Sequence, residues 1–198
     1  MNYNQMYLAK LLKSEAVCSN IKQNLDELTE IIPEIHSMIG FEHRHPHHHL
    51  DVWEHTLLAM SISQNNFDVR LGILLHDIGK PQTYQEDGAF RKFKGHPEKS
   101  AEISRTILER LEFDKEYCDK ICTAIKLHDN PLRGNFILQN LELANLIFEI
   151  QKCDAIAHNP KFNNKRLKYI DNMNQLFVTL AIPQEYSTEY SFDINPEK

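Results

Sequence analysis

Along most of this chain apolar residues recur every three or four positions, and in four places the stripe they form runs into a histidine or an aspartate. This constrains the fold more than any other feature, because it asks for helices whose inward faces carry groups that bury badly alone. Over residues 115–128 the stripe is Cys118, Ile121, Cys122 and Ile125, and the next inward position is His128. A second stripe passes through Leu143, Leu146, Ile147 and Ile150 and reaches Asp154. His76 follows Val69, Gly72 and Ile73 at the same spacing with Asp77 beside it, and His55 lies three residues past Val52 on a segment that also carries Trp53. A buried carboxylate without a partner is strongly destabilising, so something positive must meet Asp154. A divalent cation held by neutral imidazoles and ionised carboxylates satisfies all these inward groups together. No cysteine stands among them, which disfavours a closed, thiolate-rich zinc site. Mixed His/Asp ligation suits an open site for manganese, iron, cobalt, nickel or magnesium.

The periodicity predicts an all-α fold. One or two amphipathic helices are expected from Tyr3 to Ile39, punctuated by Pro33 and ended by Gly40. The polar stretch EHRHPHHH (42–49) is too broken by Pro46 for helix and leads into a helix over 51–63 with Asp51 at its start. A helix over 67–78 should stop at Gly79 and Pro81. Asp87 and Gly88 between short alternating segments predict a small β-hairpin flap over 83–93. Further helices are expected from Pro97 to Leu111, Lys115 to His128, Leu138 to His158 and Lys165 to Leu180, with a loosely packed tail after Pro183. At 198 residues the chain suits one domain, given about 150 residues per domain. A net charge of −6 disfavours stable nucleic-acid binding, although small anions can still bind locally. Four scattered cysteines without a CxxC pair, and no signal peptide or membrane span, point to a reduced cytoplasmic setting. Eleven histidines would reverse the sign of the net charge if all were protonated, so their chemistry should depend on pH.

Five segments in order, HHHLDVWEHTLLAM, LLHDIGKP, FKGHPEKSAEI, IKLHD and KCDAIAHN, resemble the HD-domain metal-dependent phosphohydrolases of the HDIG type. They are most similar to the HD domain of bacterial CCA-adding tRNA nucleotidyltransferases. The resemblance implies an HD-type helical bundle over 1–182, with a helical flank (1–45), a core (46–159) and a C-terminal helix (160–182), then the tail 183–198. It also implies a primary metal on His55, His76, Asp77 and Asp154. In two-metal members the extra ligands fall at the positions of His96 and His128, with Asp77 bridging. The first 45 residues are too short for the polymerase-type domain of those enzymes, so CCA addition is not expected.

Metal chemistry of this kind suits hydrolysis at phosphorus. Asp77 and Lys80 are the expected catalytic pair, Lys80 neutralising charge that builds on the phosphoryl group. Arg133 is a candidate phosphate clamp, His158 a substrate contact or proton donor, and His48 or His49 a substrate contact from the histidine-rich loop. His43, His45 and His47 read as adventitious surface groups, and His36 as a surface or packing residue. The basic runs read as solvated faces, although Arg91, Lys92, Lys94 and Lys99 near the flap can attract a nucleotide phosphate. The expectation is a phosphohydrolase for a small nucleotide or related ester, and the resemblance to the family implies phosphodiesters and 2′,3′-cyclic phosphates as the leading class. A di-iron oxygenase on the same ligands and an idle nucleotide-binding module are the alternatives.

Overall fold

The computed structural model describes residues 2–180, so the tail over 183–198 lies outside the described residues. Three short helices open the chain, α1 (Tyr3–Leu12), α2 (Val17–Gln23) and α3 (Leu25–Ile31), followed by a 3₁₀ turn over Pro33–Ser37. The expected one or two helices are broken by short polar side chains that bond locally and compete with the helical ladder. Ser14 Oγ accepts from Ala16 N (3.1 Å) and from Asn20 Nδ2 (2.6 Å), and Asn24 Nδ2 donates to Asn20 O (2.8 Å). Leu8, Leu12, Ile21, Leu28 and Ile35 bury the flank's inner face. Arg70, itself buried, locks it down by donating to Leu12 O at 2.6 Å and Ser14 O at 2.9 Å, carbonyls that the end of α1 leaves unpaired.

The bundle consists of α4 (Val52–Ile62), α5 (Phe67–Leu75), α7 (His96–Arg110), α8 (Lys115–Leu127) and α10 (Leu141–Ala157). Asp51 caps α4, its Oδ1 accepting from Glu54 N at 2.7 Å, as its place before an apolar run suggests. α10 is central and packs on α4, α5 and α8. The approach of α5 is so close that a Cβ at Gly72 would meet the Ile150 side chain. On the other side of α10 lie α9 (Gly134–Gln139) and α11 (Asn164–Thr179), with Phe148 stacked on Phe177 at 5.0 Å. The helix expected to start near Leu138 instead begins at Leu141. Asn140 (φ −142°) leaves helical geometry and separates α9 from α10.

Two further boundaries shift, both near the polar cluster. α5 stops at Leu75 and not Ile78, because the chain tightens into three-residue turns, Ile78 N to Leu75 O (3.3 Å) and Lys80 N to Asp77 O (3.0 Å), before α6 (Lys80–Thr83). In the flap, β1 (Gln85–Asp87) and β2 (Phe90–Lys92) pair antiparallel with Asp87 opposite Phe90. Asp87 is thus the last strand residue, and the turn is Gly88–Ala89, with Gly88 at φ 61°. α7 opens at His96, one residue before the expected Pro97, behind Gly95 at φ 82°. Among the described residues no helix is long and apolar enough to cross a membrane.

Gly79 shows why a glycine follows the Asp77 turn. Its backbone is ordinary, but a Cβ there would lie 2.5 Å from Ser100 N and 3.0 Å from His96 O on α7. Gly79→Ala is therefore expected to destabilise the fold by about 2 kcal/mol through overpacking against rigid backbone, lowering Tm by roughly 4–8 °C. Gly134→Ala, where a Cβ meets nothing within 4 Å, should be close to neutral in the same melt. Equal melting of the two variants would refute this account.

Candidate metal centre

One local device presents most of the polar cluster. His76 and His128 stand at the C-terminal ends of α5 and α8, where carbonyls lack helical partners. Each ring turns back to donate Nδ1–H to the carbonyl three residues earlier, His76 to Ile73 at 2.7 Å and His128 to Ile125 at 2.6 Å. His158, after α10, bonds Asp154 O at 2.7 Å, and His96 bonds Phe93 O at 2.9 Å. A nitrogen facing a carbonyl must carry the proton, so every one of these rings keeps its Nε2 lone pair for something else. His55 comes from the first turns of α4, and Asp154 from the buried face of α10.

The free atoms converge. His55 Nε2 lies 2.8 Å from Asp154 Oδ1 and 3.9 Å from Asp77 Oδ2, while His76 Nε2 lies 3.2 Å from Asp77 Oδ2 and 3.6 Å from Asp154 Oδ1. Asp77 turns its other oxygen to a second group, with Oδ1 3.4 Å from His96 Nε2 and 4.0 Å from His128 Nε2. Donor atoms of His55, His76, Asp77 and Asp154 all lie within 4.8 Å of one another, as do those of Asp77, His96 and His128. Each set can hold one cation, with Asp77 common to both. The residues fit a metal on direct observation: His76 Nε2 and both Asp77 oxygens are buried without a hydrogen-bond partner. His96 Nε2 and His128 Nε2 face each other at 3.3 Å, two lone pairs that repel unless a positive charge sits between them.

Burial lowers the proton affinity of His76, but the carboxylates of Asp77 and Asp154 outweigh it and push its pKa up to about 10. Both carboxyls are held well below the ordinary range against their own burial, Asp77 chiefly by His76 and Lys80, Asp154 chiefly by His158 and His55. Other rings are kept neutral. Burial brings His128 down to about 4 with help from the charge of His76, and brings His158 down to about 4 despite Asp154. In the metal-free protein a proton on His76 thus occupies the position between two carboxylates that a cation would take.

A cavity of about 260 Å³ opens over the cluster. His48, Lys80 and His158 line it, as the sequence suggests. Buried Lys80 places Nζ 2.7 Å from Asp77 Oδ2, as an ion pair more than an aligned hydrogen bond, and 3.0 Å from His43 Nε2. Arg133 and His49 are not brought to the cavity: both are exposed and neither lines it, Arg133 standing at the N-cap of α9.

Arg91 and Arg166 occupy the place expected of Arg133. Arg166 reads as part of a solvated basic run, yet it precedes Ile170 by four residues on the inward stripe that continues through Met173 and Phe177, which is the signal that finds it. Three loop histidines read as surface groups are otherwise placed. His45 and His47 line the cavity, and His43 is buried, bonded to Leu50 O at 2.9 Å and stacked on His48 at 3.8 Å. Burial and the neighbouring Lys80 charge hold His43 down to about 2.

Residues 47–166, well over half of the chain, match the model of the HD domain. The chain belongs to the HD domain family. This is a metal-dependent, phosphohydrolase-type family, and the buried His/Asp groups of this HD domain are equipped to bind a metal. Curated relatives include a CC-adding tRNA nucleotidyltransferase of Thermus thermophilus, 35 % identical over 135 residues, and a Multifunctional CCA protein of Legionella pneumophila, 32 % identical over 129 residues. An A-adding tRNA nucleotidyltransferase of Deinococcus radiodurans is 35 % identical over 123 residues. The matches cover 63 %, 61 % and 56 % of this chain but 31 %, 31 % and 28 % of those proteins. The HD domain therefore matches about a third of the length of each.

If the cluster holds a cation, Mn²⁺ added to chelator-treated protein should raise Tm by several degrees, since a ligand present at about 100 times its Kd adds about 2.7 kcal/mol. The proton on His76 must leave first, so the shift should be larger at pH 8 than at pH 6. Asp154→Asn should abolish most of it. A melt that ignores Mn²⁺ at both pH values would count against the site.

Proposed function

We propose that this HD domain is a metal-dependent phosphohydrolase acting on a small nucleotide or related phosphate ester, with phosphodiesters and 2′,3′-cyclic phosphates the leading class. The observation that carries this is Asp77: fully buried, each oxygen directed at a different group of ligands, with neither oxygen hydrogen-bonded. In this reading His55, His76, Asp77 and Asp154 hold one ion, and Asp77, His96 and His128 a second. Such ions lower the pKa of water from 15.7 to around 7 and polarise a phosphoryl oxygen. The overall step is hydrolysis: the water oxygen bonds to phosphorus, the ester P–O bond breaks, and the alcohol departs with a proton.

The chain's own residues supply the rest. Lys80 is held at the cluster by Asp77 and His43 and presents its charge to the cavity, where it offsets charge gathering on the phosphoryl oxygens. Arg91 and Arg166 add guanidinium donors at the wall. His158 gives its Nδ1–H to Asp154 O and is neutral near pH 7, so its Nε2 is an acceptor. It can orient or deprotonate water or a substrate hydroxyl, and it is poorly suited to protonating the leaving group. This cationic lining complements a phosphate-bearing substrate, which supports the hydrolytic reading, and oxygen uptake by iron-loaded protein separates it from an oxygenase on the same ligands. The acidic chain as a whole still argues against holding a polynucleotide, so tRNA, for which the relatives are named, is not the proposed partner. Four free cysteines accord with a cytoplasmic setting.

The test is Mn²⁺-loaded protein against bis-p-nitrophenyl phosphate, p-nitrophenyl phosphate, 2′,3′-cyclic AMP and nucleoside monophosphates. Turnover of at least one is expected. Asp77→Ala should lower it by about a hundredfold or more and remove most bound metal while leaving the helical circular dichroism intact. Metal-loaded protein that turns over nothing on the panel, or that consumes oxygen when loaded with iron, would overturn the reading.

A further inference from the structure

We propose that a second, apolar hollow beside Asp154 is the subsite for the organic half of the substrate, a flat ring system such as a nucleobase, held by stacking and apolar contact without its edges being read. The proposal rests on the phosphohydrolase reading. The hollow, about 240 Å³, lies against α10 and α11 and shares Asp154, His128, Asp129 and Arg166 with the cavity already described. The two spaces therefore meet at a common wall that includes two of the candidate ligands, His128 and Asp154. The hollow alone is smaller than the roughly 300–1,000 Å³ of ordinary small-molecule sites, which suits one ring system and not a whole substrate.

The two differ in character. Around the first stand Lys80, Arg91, Arg166 and imidazoles, the surroundings of a phosphate. The second is walled by Pro131, Ala155, Tyr169 and Ile170. An ester with one charged and one apolar half matches this division, with phosphorus at the boundary where Asp154 and His128 stand. Asn130 and Lys165 stand exposed at the rim, and the two polar side chains set within the wall, Tyr169 and Gln151, are already occupied. Tyr169 hydroxyl accepts from Leu132 N (3.0 Å) and donates to Gln151 Oε1 (2.9 Å), and the Gln151 amide donates to Asn130 O (2.7 Å) and Leu127 O (3.2 Å). These bonds fix the tyrosine ring as a rigid face and leave neither side chain free to read a base.

That distinction has a size. Sites that hydrogen-bond a substrate edge reject analogues by about 10⁴–10⁵, whereas apolar pockets separate similar groups by only about 10–200-fold. The experiment is calorimetric titration of Mn²⁺-loaded protein with inorganic phosphate and with non-hydrolysable 5′-phosphonate analogues of AMP, UMP and ribose 5-phosphate. The two nucleoside analogues should bind within about tenfold of each other, and each about tenfold or more tighter than the ribose analogue. Lys165→Trp and Asn130→Trp place bulk at exposed positions of the hollow's rim, so neither threatens the core. Both should erase the base-dependent gain while Mn²⁺ content and phosphate affinity stay unchanged. The inference is overturned if the base adds no affinity, if adenine and uracil differ by more than about a hundredfold, or if both tryptophan variants keep the gain. Failure of the wild type to bind Mn²⁺ and phosphate would instead bring down the phosphohydrolase reading and this inference with it; binding of both with no gain from the base removes the inference alone.

Discussion

Two buried carboxylates set the terms for the rest of this molecule. Asp77 is fully buried and Asp154 nearly so, and the ion pairs they make with lysine and arginine do not settle both. Lys80 reaches one oxygen of Asp77, and Arg166 only approaches Asp154 at 3.7 Å. The remaining compensation comes from imidazoles, and an imidazole can compensate a carboxylate in two ways, by carrying a proton or by sharing a metal. The fold is arranged for either. Elements far apart in sequence, α4, the turn after α5, the start of α7, the end of α8 and the last turn of α10, all contribute one or two groups to a region a few ångströms across. Loss of any one leaves an uncompensated charge for the others, so the centre is cooperative by electrostatics alone.

Helix ends make the assembly economical in structure. A helix that stops at a histidine leaves a carbonyl needing a donor, and the ring needs a fixed tautomer; the bond between Nδ1–H and that carbonyl meets both requirements. His76 and His128 use it identically and His158 uses a variant of it, while His96, at the start of α7, fixes its tautomer on a loop carbonyl, Phe93 O. Secondary structure thus decides which nitrogen is available, before any tertiary contact is made. The glycine at position 79 belongs to the same logic, since its missing side chain lets the turn bearing Asp77 lie against the backbone of α7, where His96 begins.

Much of this was legible in the sequence because burial repeats with helical period. Asp154 and His128 could be placed inside from their stripes alone, and Asp51 from its position ahead of α4. What stayed hidden depended on tertiary packing or on competition between local bonds. Asn24 and Asn140 interrupt helices through their own backbone preferences, which an apolar pattern does not register. In the loop over 42–49 no period exists, so nothing separated His43, which is buried, from His49, which is exposed. Arg133 and Arg166 are both arginines near turns; only the stripe through Ile170 and Met173 tells them apart, and it was outweighed by the basic run around it.

The flap shows how wall and charge can be one object. Arg91 lies over the rings of Phe41 and Tyr84 at 4.8 and 4.9 Å and donates to Glu42 O at 2.8 Å, while its backbone N–H donates to Arg44 O. The hairpin is thereby riveted to the first residues of the histidine loop, whose middle is tied to Asn159, just past α10, through the carbonyls of Pro46 and His47. One of the cavity's cations is thus also a fastening of its rim. Replacing Arg91 would remove a charge and a tie together, whereas Arg166, carried by α11 on a separate support, can be changed without touching the hairpin.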